Sequence, residues 1–155
     1  MTEVVEKKIF IEEMTNQSID KIRHMESFML KMPQVSMKTD HVLHGGVYAR
    51  TLTVPAGTLM TGVVVKIQTV LIVSGKCKIF NGVGTVDFEG YNVIPANAPR
   101  KMTLLAIEET KLTMIFPTDA KTEKEAEEMF TDEYSLLVTR KDKNNDVALI
   151  TGELK

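Results

Sequence analysis

Between Asn16 and Met32 the apolar positions Ile19, Ile22, Met25, Met29 and Met32 recur every three or four residues, with Asp20, Lys21 and Glu26 between them. That is the period of an α-helix with one apolar face. Phe28 widens the face, so a helix over 16–32 is expected to lie on a sheet or on a partner subunit, and Pro33 is expected to end it. From Val47 to Phe116 the texture changes to short runs of Val, Ile, Leu and Thr, broken by prolines and glycines such as Pro55, Gly62, Gly75, Gly90 and Pro99. These runs predict strands near 47–54, 61–73, 76–80, 84–88, 91–95, 102–107 and 111–116, arranged as a sandwich or small barrel. Beyond them, Thr122 and Glu125 have the spacing of a capping box ahead of a short helix whose Ala126, Met129 and Phe130 are expected to face inward. The runs YSLLVTR and DVALIT flank the polar KDKNN, which predicts a hairpin or a terminal arm paired with a neighbouring subunit.

At 155 residues the chain suits one domain, 1–155, with a helix at 16–32, a barrel at 40–118 and a C-terminal helix and tail at 119–155. A composition of 43% hydrophobic and 26% charged residues is that of a soluble globular domain. With 19 basic and 21 acidic residues well mixed, the formal charge of -2 offers no field to attract a nucleic-acid duplex or an acidic membrane. Cys77 is the only cysteine, so an internal disulfide is impossible and a structural, semi-buried thiol in a reducing cytoplasm is expected. No run approaches the roughly 18 apolar residues of a membrane helix, and MTEVVEKKIF does not read as an export signal.

Read as one continuous strand, Val63, Val65, Ile67, Thr69 and Leu71 share a face. A pocket lined this way binds by shape and desolvation but has no group with which to activate water or dioxygen.

The run Gly46-Val47-Tyr48-Ala49-Arg50, leading to Pro55-Ala56-Gly57-Thr58 and Gly62, is echoed by Gly90-Tyr91-Asn92-Val93-Ile94-Pro95 through Arg100. Over residues 40–118 it resembles a family of small bacteriophage-borne cupin-like proteins of RmlC-like jelly-roll fold. The resemblance implies a mainly β protein: a cupin-like jelly-roll β-barrel with an N-terminal amphipathic helix and a short C-terminal helix plus hairpin or arm. In that family the strand after the turn carries His, Lys and a second His, matching Val65, Lys66 and Thr69, and a third His matches Phe116. Only the lysine is kept, so the resemblance implies degenerate metal-ligand positions and no metal cofactor. It also keeps an arginine at Arg50 and at Arg100 and a histidine near His41.

The residues expected to bind ligand are Arg50, Arg100, Tyr48, His41 and Thr69. Arg50 and Arg100, placed at the predicted barrel mouth, offer planar forks suited to phosphate or carboxylate, against the alternative of structural ion pairs. Tyr48 joins them by hydrogen bonding or stacking. His41 and His44, beside Asp40 in a predicted loop, form either a partial metal or acid-base cluster or ordinary surface or hydrogen-bonded histidines. Lys66 is expected to face solvent, and Asp87 and Glu89 to keep a strand soluble. Gly82-Val83-Gly84 lacks the helix start and downstream lysine of a phosphate loop.

The functional expectation is a non-enzymatic, metal-free phage protein in the host cytoplasm that binds or sequesters a small anionic host ligand, such as a signalling nucleotide, as a host-defence antagonist. Two alternatives stand beside it: a module docking on a host or phage protein, and a metal-independent cupin isomerase or lyase with His41 or His44 as base. A homo-oligomer, by default a dimer, is expected.

Overall fold

The computed structural model describes residues 9–141 and 146–151. The protein is mainly β. A helix, α1 (Asn16–Met29), precedes the strands β1 (Lys38–His44), β2 (Val47–Val54), β3 (Leu59–Thr61), β4 (Thr69–Phe80), β5 (Thr85–Ala96), β6 (Thr103–Ala106) and β7 (Thr110–Pro117). Then come α2 (Glu123–Phe130), a 3₁₀ turn at Tyr134–Leu136, a single helical turn α3 (Val138–Lys141), and β8 (Asp146–Ile150).

All eight strands belong to one curled sheet, in which β4 pairs with β5 along one edge and with β7 and then β6 along the other. Beyond β7 the order continues through β2 and β1 to β8. Gly75 marks the change of partner in β4: its φ is +143°, and a Cβ there would lie 2.5 Å from the Glu109 carbonyl oxygen. Only glycine tolerates that approach. The chain therefore bends at Gly75 without breaking, and 69–80 is one strand where the apolar runs predict two.

The inner face of the curl carries Leu43, Tyr48, Val54, Leu71, Val73, Cys77, Ile79, Phe88, Ile94, Met114 and Phe116, all buried, with Ala126 and Phe130 of α2 packed onto them. A second cluster, Met14, Ile19 and Ile22, seats α1 beside Val64 and Phe80. Thr15 caps α1 by accepting from the Ser18 N–H. A buried ion pair adds to this contact: Lys101 Nζ, 1% exposed, reaches Glu26 Oε2 at 3.0 Å and donates to the Gly62 carbonyl at 2.8 Å.

Several sequence expectations are corrected. Helix α1 ends at Met29, not Met32, and Phe28 and Met32 are exposed, so the buried stripe is narrower than the period suggests. The segment predicted as the first half of strand 61–73 is irregular: Val65 makes an isolated bridge to Arg100, and β4 begins at Thr69. The predicted loop around His41 and His44 is strand β1, in which the two side chains alternate between buried and exposed. Thr122 does cap α2, accepting from Glu125 N–H, but Met129 is exposed and Glu127 takes the inward position. The expected hairpin does not form among the described residues, because Tyr134–Leu136 and Val138–Lys141 are helical and β8 pairs in parallel with β1 of its own chain. Residues 142–145 of KDKNN lie outside the described residues.

Candidate functional site

The five predicted ligand residues separate into two buried clusters. His41 from β1 and Tyr48 and Arg50 from β2 point into the curl, because odd positions of β1 and even positions of β2 face inward and the two strands pair His41 with Arg50. His41 Nδ1 and the Tyr48 hydroxyl share a hydrogen bond of 2.6 Å, and Arg50 Nη1 donates to the same hydroxyl at 3.4 Å. Arg50 Nη1 also donates to Glu127 Oε2 at 2.8 Å. Thr139 Oγ1 donates to the same carboxylate oxygen, and Arg140 Nε to Oε1 at 2.8 Å. The Arg50 guanidinium lies 5.5 Å from the Phe130 ring centroid, and Phe130 packs edge-on against Phe116.

Glu127 organises this cluster. Burial alone pushes its carboxyl up, but the hydrogen bonds from Thr139 and Arg140 and the charge and hydrogen bond of Arg50 outweigh that and hold it below its ordinary value. Arg50 is thus neutralised inside the protein, and its expected place at an open mouth for an anionic ligand is corrected. Sequence reasoning also missed Glu127, Thr139 and Arg140. The available signal was that Glu127 sits three residues before Phe130, on the same helical face.

A general base must come within hydrogen-bond reach of a substrate proton. His41 and Tyr48 are fully enclosed, while His44 on the opposite face of β1 meets Thr151. The two histidines therefore do not converge on a shared acid-base site, which corrects the partial cluster read from their spacing.

The second cluster is built around Arg100, 2% exposed. Its Nη1 donates to the carbonyls of Ile67, Ala96 and Asn97, and its Nη2 to Thr69 Oγ1 at 2.8 Å and towards Met114 Sδ. Among the described residues no carboxylate pairs with it. Burial pulls its pKa down to about 10, which leaves the guanidinium charged at neutral pH. Like Arg50 it is enclosed, not on a rim. Thr69, Ala96 and Asn97 nevertheless line an open recess of about 270 Å³, completed by Gln68, Val70, Pro95, Ile115 and Pro117. A guanidinium held by carbonyls and a hydroxyl, with no carboxylate against it among the described residues, thus lies one layer behind the wall of a surface recess.

The three positions that the resemblance sets against metal ligands lie apart in function and partner. Val65 is partly buried against the core, Thr69 accepts from Arg100, and Phe116 packs at 5.3 Å against Tyr48. Among the described residues no three His, Cys, Asp or Glu side chains come together as a metal site. Lys66 is exposed and pairs with Asp132 at 2.6 Å; Asp87 is exposed and pairs with Lys78. Cys77 is buried, and burial, the largest influence on it, raises its thiol pKa, as suits a packed residue. No described helix is long and apolar enough to cross a membrane.

No protein-family profile matches the chain, and no curated protein matches it. Among solved structures it is similar to a cupin superfamily protein from Desulfitobacterium hafniense, at 13% identity over 57% of this chain and 83% of that one, with a TM-score of 0.45. An RmlC-like cupin with a double-stranded β-helix fold from Methanocaldococcus jannaschii gives 14% identity over 54% and 81%, with a TM-score of 0.44. Ectoine synthase from P. lautus gives 19% over 61% and 75%, with a TM-score of 0.45.

Proposed function

We propose that this protein is a non-catalytic binding protein whose ligand is a small anion-bearing molecule seated in the recess between Thr69 and Asn97. The observation that carries the reading is Arg100, a buried guanidinium with no carboxylate against it among the described residues, held directly behind Thr69, Ala96 and Asn97. A buried charge lacking a counterion gains from an anion brought close to it, and the low-dielectric wall between them weakens the attraction little. Gln68 and Asn97 supply neutral donors at the rim, and Val70, Pro95 and Ile115 an apolar floor for the rest of the ligand. A phosphorylated nucleotide fits this chemistry, and its sequestration from a host is the biological form that the phage-family resemblance suggests.

The test is titration calorimetry of the protein with nucleoside monophosphates, cyclic nucleotides and the parent nucleosides. Binding of phosphorylated members alone, weakened by Gln68→Glu through repulsion at the rim, is expected. Binding of none, or equal binding of the uncharged nucleosides, would remove the reading. Because Gln68 is exposed, its replacement leaves the fold intact where loss of Arg100 would not.

A second reading, docking on another protein, is favoured by Phe28, Leu30, Met32 and Val35, all exposed where α1 ends. Replacing Phe28 and Leu30 with Lys leaves nucleotide titration unchanged on the first reading.

A further inference from the structure

The outer face of the curled sheet carries a row of apolar side chains that crosses six strands without interruption. Registers across the sheet align Pro95 of β5 with Val70 of β4, Val70 with Ile115 of β7, and Ile115 with Ala49 of β2. Ala49 aligns with Val42 of β1, and Val42 with Leu149 of β8. All six lie on the face away from the core: Val70 is 44% exposed, Val42 40% and Leu149 57%, and in β1 and β4 the residues on either side, His41 and Leu43, Thr69 and Leu71, are buried. One neighbouring row reads Val93, Ile72, Thr113, Thr51 and Asp40, and the other holds Pro117, Val47 and His44. Of these residues only Asp40 carries a formal charge at neutral pH.

An antiparallel sheet with one wet face ordinarily alternates apolar in and polar out. Here the alternation fails in the same row on six successive strands, which no single strand's requirements explain. We propose that this face is the interface with a second copy of the chain, packed sheet on sheet about a two-fold axis through the middle of the row.

The occupant follows from the order of residues in the row. A two-fold axis between Ile115 and Ala49 lays Ile115 over Ala49, Val70 over Val42 and Pro95 over Leu149, so the row meets its own reversal with apolar groups at every position. No like charges are brought together. At strand spacings of about 4.8 Å and same-face residues about 6.8 Å apart, each position in these rows covers roughly 33 Å². The named positions together cover roughly 460 Å² in plan, and side-chain relief raises that towards the ~800 Å² per partner of a stable complex. Charge depletion at its centre also matches an interface core. The arrangement buries a face and leaves the edges β5 and β8 clear, unlike pairing edge to edge. Since Val70, Pro95, Ile115 and Pro117 also line the recess, a second copy seated on the row walls that recess in.

The test is sedimentation equilibrium of the full chain, read independently of any ligand. The wild type is expected to be dimeric at about 10 μM, and Val70→Lys and Val42→Glu each to raise the dimer dissociation constant at least about tenfold. The double variant carrying both is expected to recover dimerisation, because the axis places each new lysine over a new glutamate. Phe28→Lys, exposed but off the row, serves as the control and leaves the dimer intact. A monomeric wild type, or a dimer indifferent to both single variants, would overturn the proposal; failure of the double variant to recover would overturn the axis. Circular dichroism of each variant confirms folding. Nucleotide titration of Val42→Glu, whose side chain lies outside the recess, distinguishes loss of the interface from failure of the ligand reading, which the wild type alone decides.

Discussion

Arg50 and Glu127, separated by 77 positions in the chain, meet at 2.8 Å inside the protein and join strand β2 to helix α2. Their side chains are 9% and 1% exposed, so each is an expensive group to leave alone. Glu127 serves three donors, whereas Arg50 serves chiefly Glu127 and the Tyr48 hydroxyl.

The two partners should therefore differ in cost. Glu127→Ala strands Arg50 and is expected to destabilise the fold by about 3–5 kcal/mol. Arg50→Met leaves the carboxylate with Thr139 and Arg140 and is expected to lose less, about 1–3 kcal/mol. Urea denaturation ranks them, and an equal or reversed order would contradict the central position of Glu127.

The same carboxylate sets a pH dependence. Its folded-state pKa is lowered, so the folded protein keeps it ionised at pH values where the unfolded chain has taken up a proton. The resulting stability is present above the unfolded value of about 4.3 and is lost as pH falls through the folded value. Urea midpoints between pH 7 and pH 3 are expected to drop below about pH 4.5, and to drop less steeply in Glu127→Gln.

Glu26→Gln tests the seating of α1. It leaves the Lys101 ammonium with the Gly62 carbonyl and no carboxylate, at an expected cost of about 2–3 kcal/mol, short of the full burial penalty because Glu26 is 23% exposed. Hydrogen exchange should report faster opening of α1 amides while those of β4 and β7 change less. Uniform acceleration would show that the helix is not a separable unit.

Gly75→Ala places a methyl group 2.5 Å from a backbone oxygen at a φ of +143°. Relief requires moving β4 against the turn ahead of β7, so a loss of at least about 2 kcal/mol is expected. Calorimetric melting should show it, while alanine at Gly84, where a Cβ meets nothing within 4 Å, should change the melting temperature little.

The chain's local patterns were legible wherever a residue's neighbours set its state. The period of Ile19 and Ile22 marks α1, Thr122 and Glu125 mark the start of α2, and the apolar run at 47–54 has the bounds of β2. Of the residues singled out by type, His41, Tyr48 and Arg50 meet in the fold, and so do Arg100 and Thr69. Their environment was not legible. Whether an arginine faces a ligand or a carboxylate depends on what folds over it, and Glu127, Thr139 and Arg140 arrive from segments far along the chain.

Strand β1 was hidden because its apolar residues are diluted by His41, His44, Asp40 and Thr39, and it is recognisable only beside β2 and β8. The unbroken β4 depends on Gly75 bending past Thr110, a contact that apolar runs do not encode. The apolar row on the outer face is of the same kind: single valines on separate strands carry no signal until register aligns them. Sequence by itself determined the mainly β class and the helices through short-range periodicity and capping. Tertiary structure alone decided which charges are neutralised, which is left without a carboxylate among the described residues and which face is apolar, because those depend on pairings between residues distant in the chain.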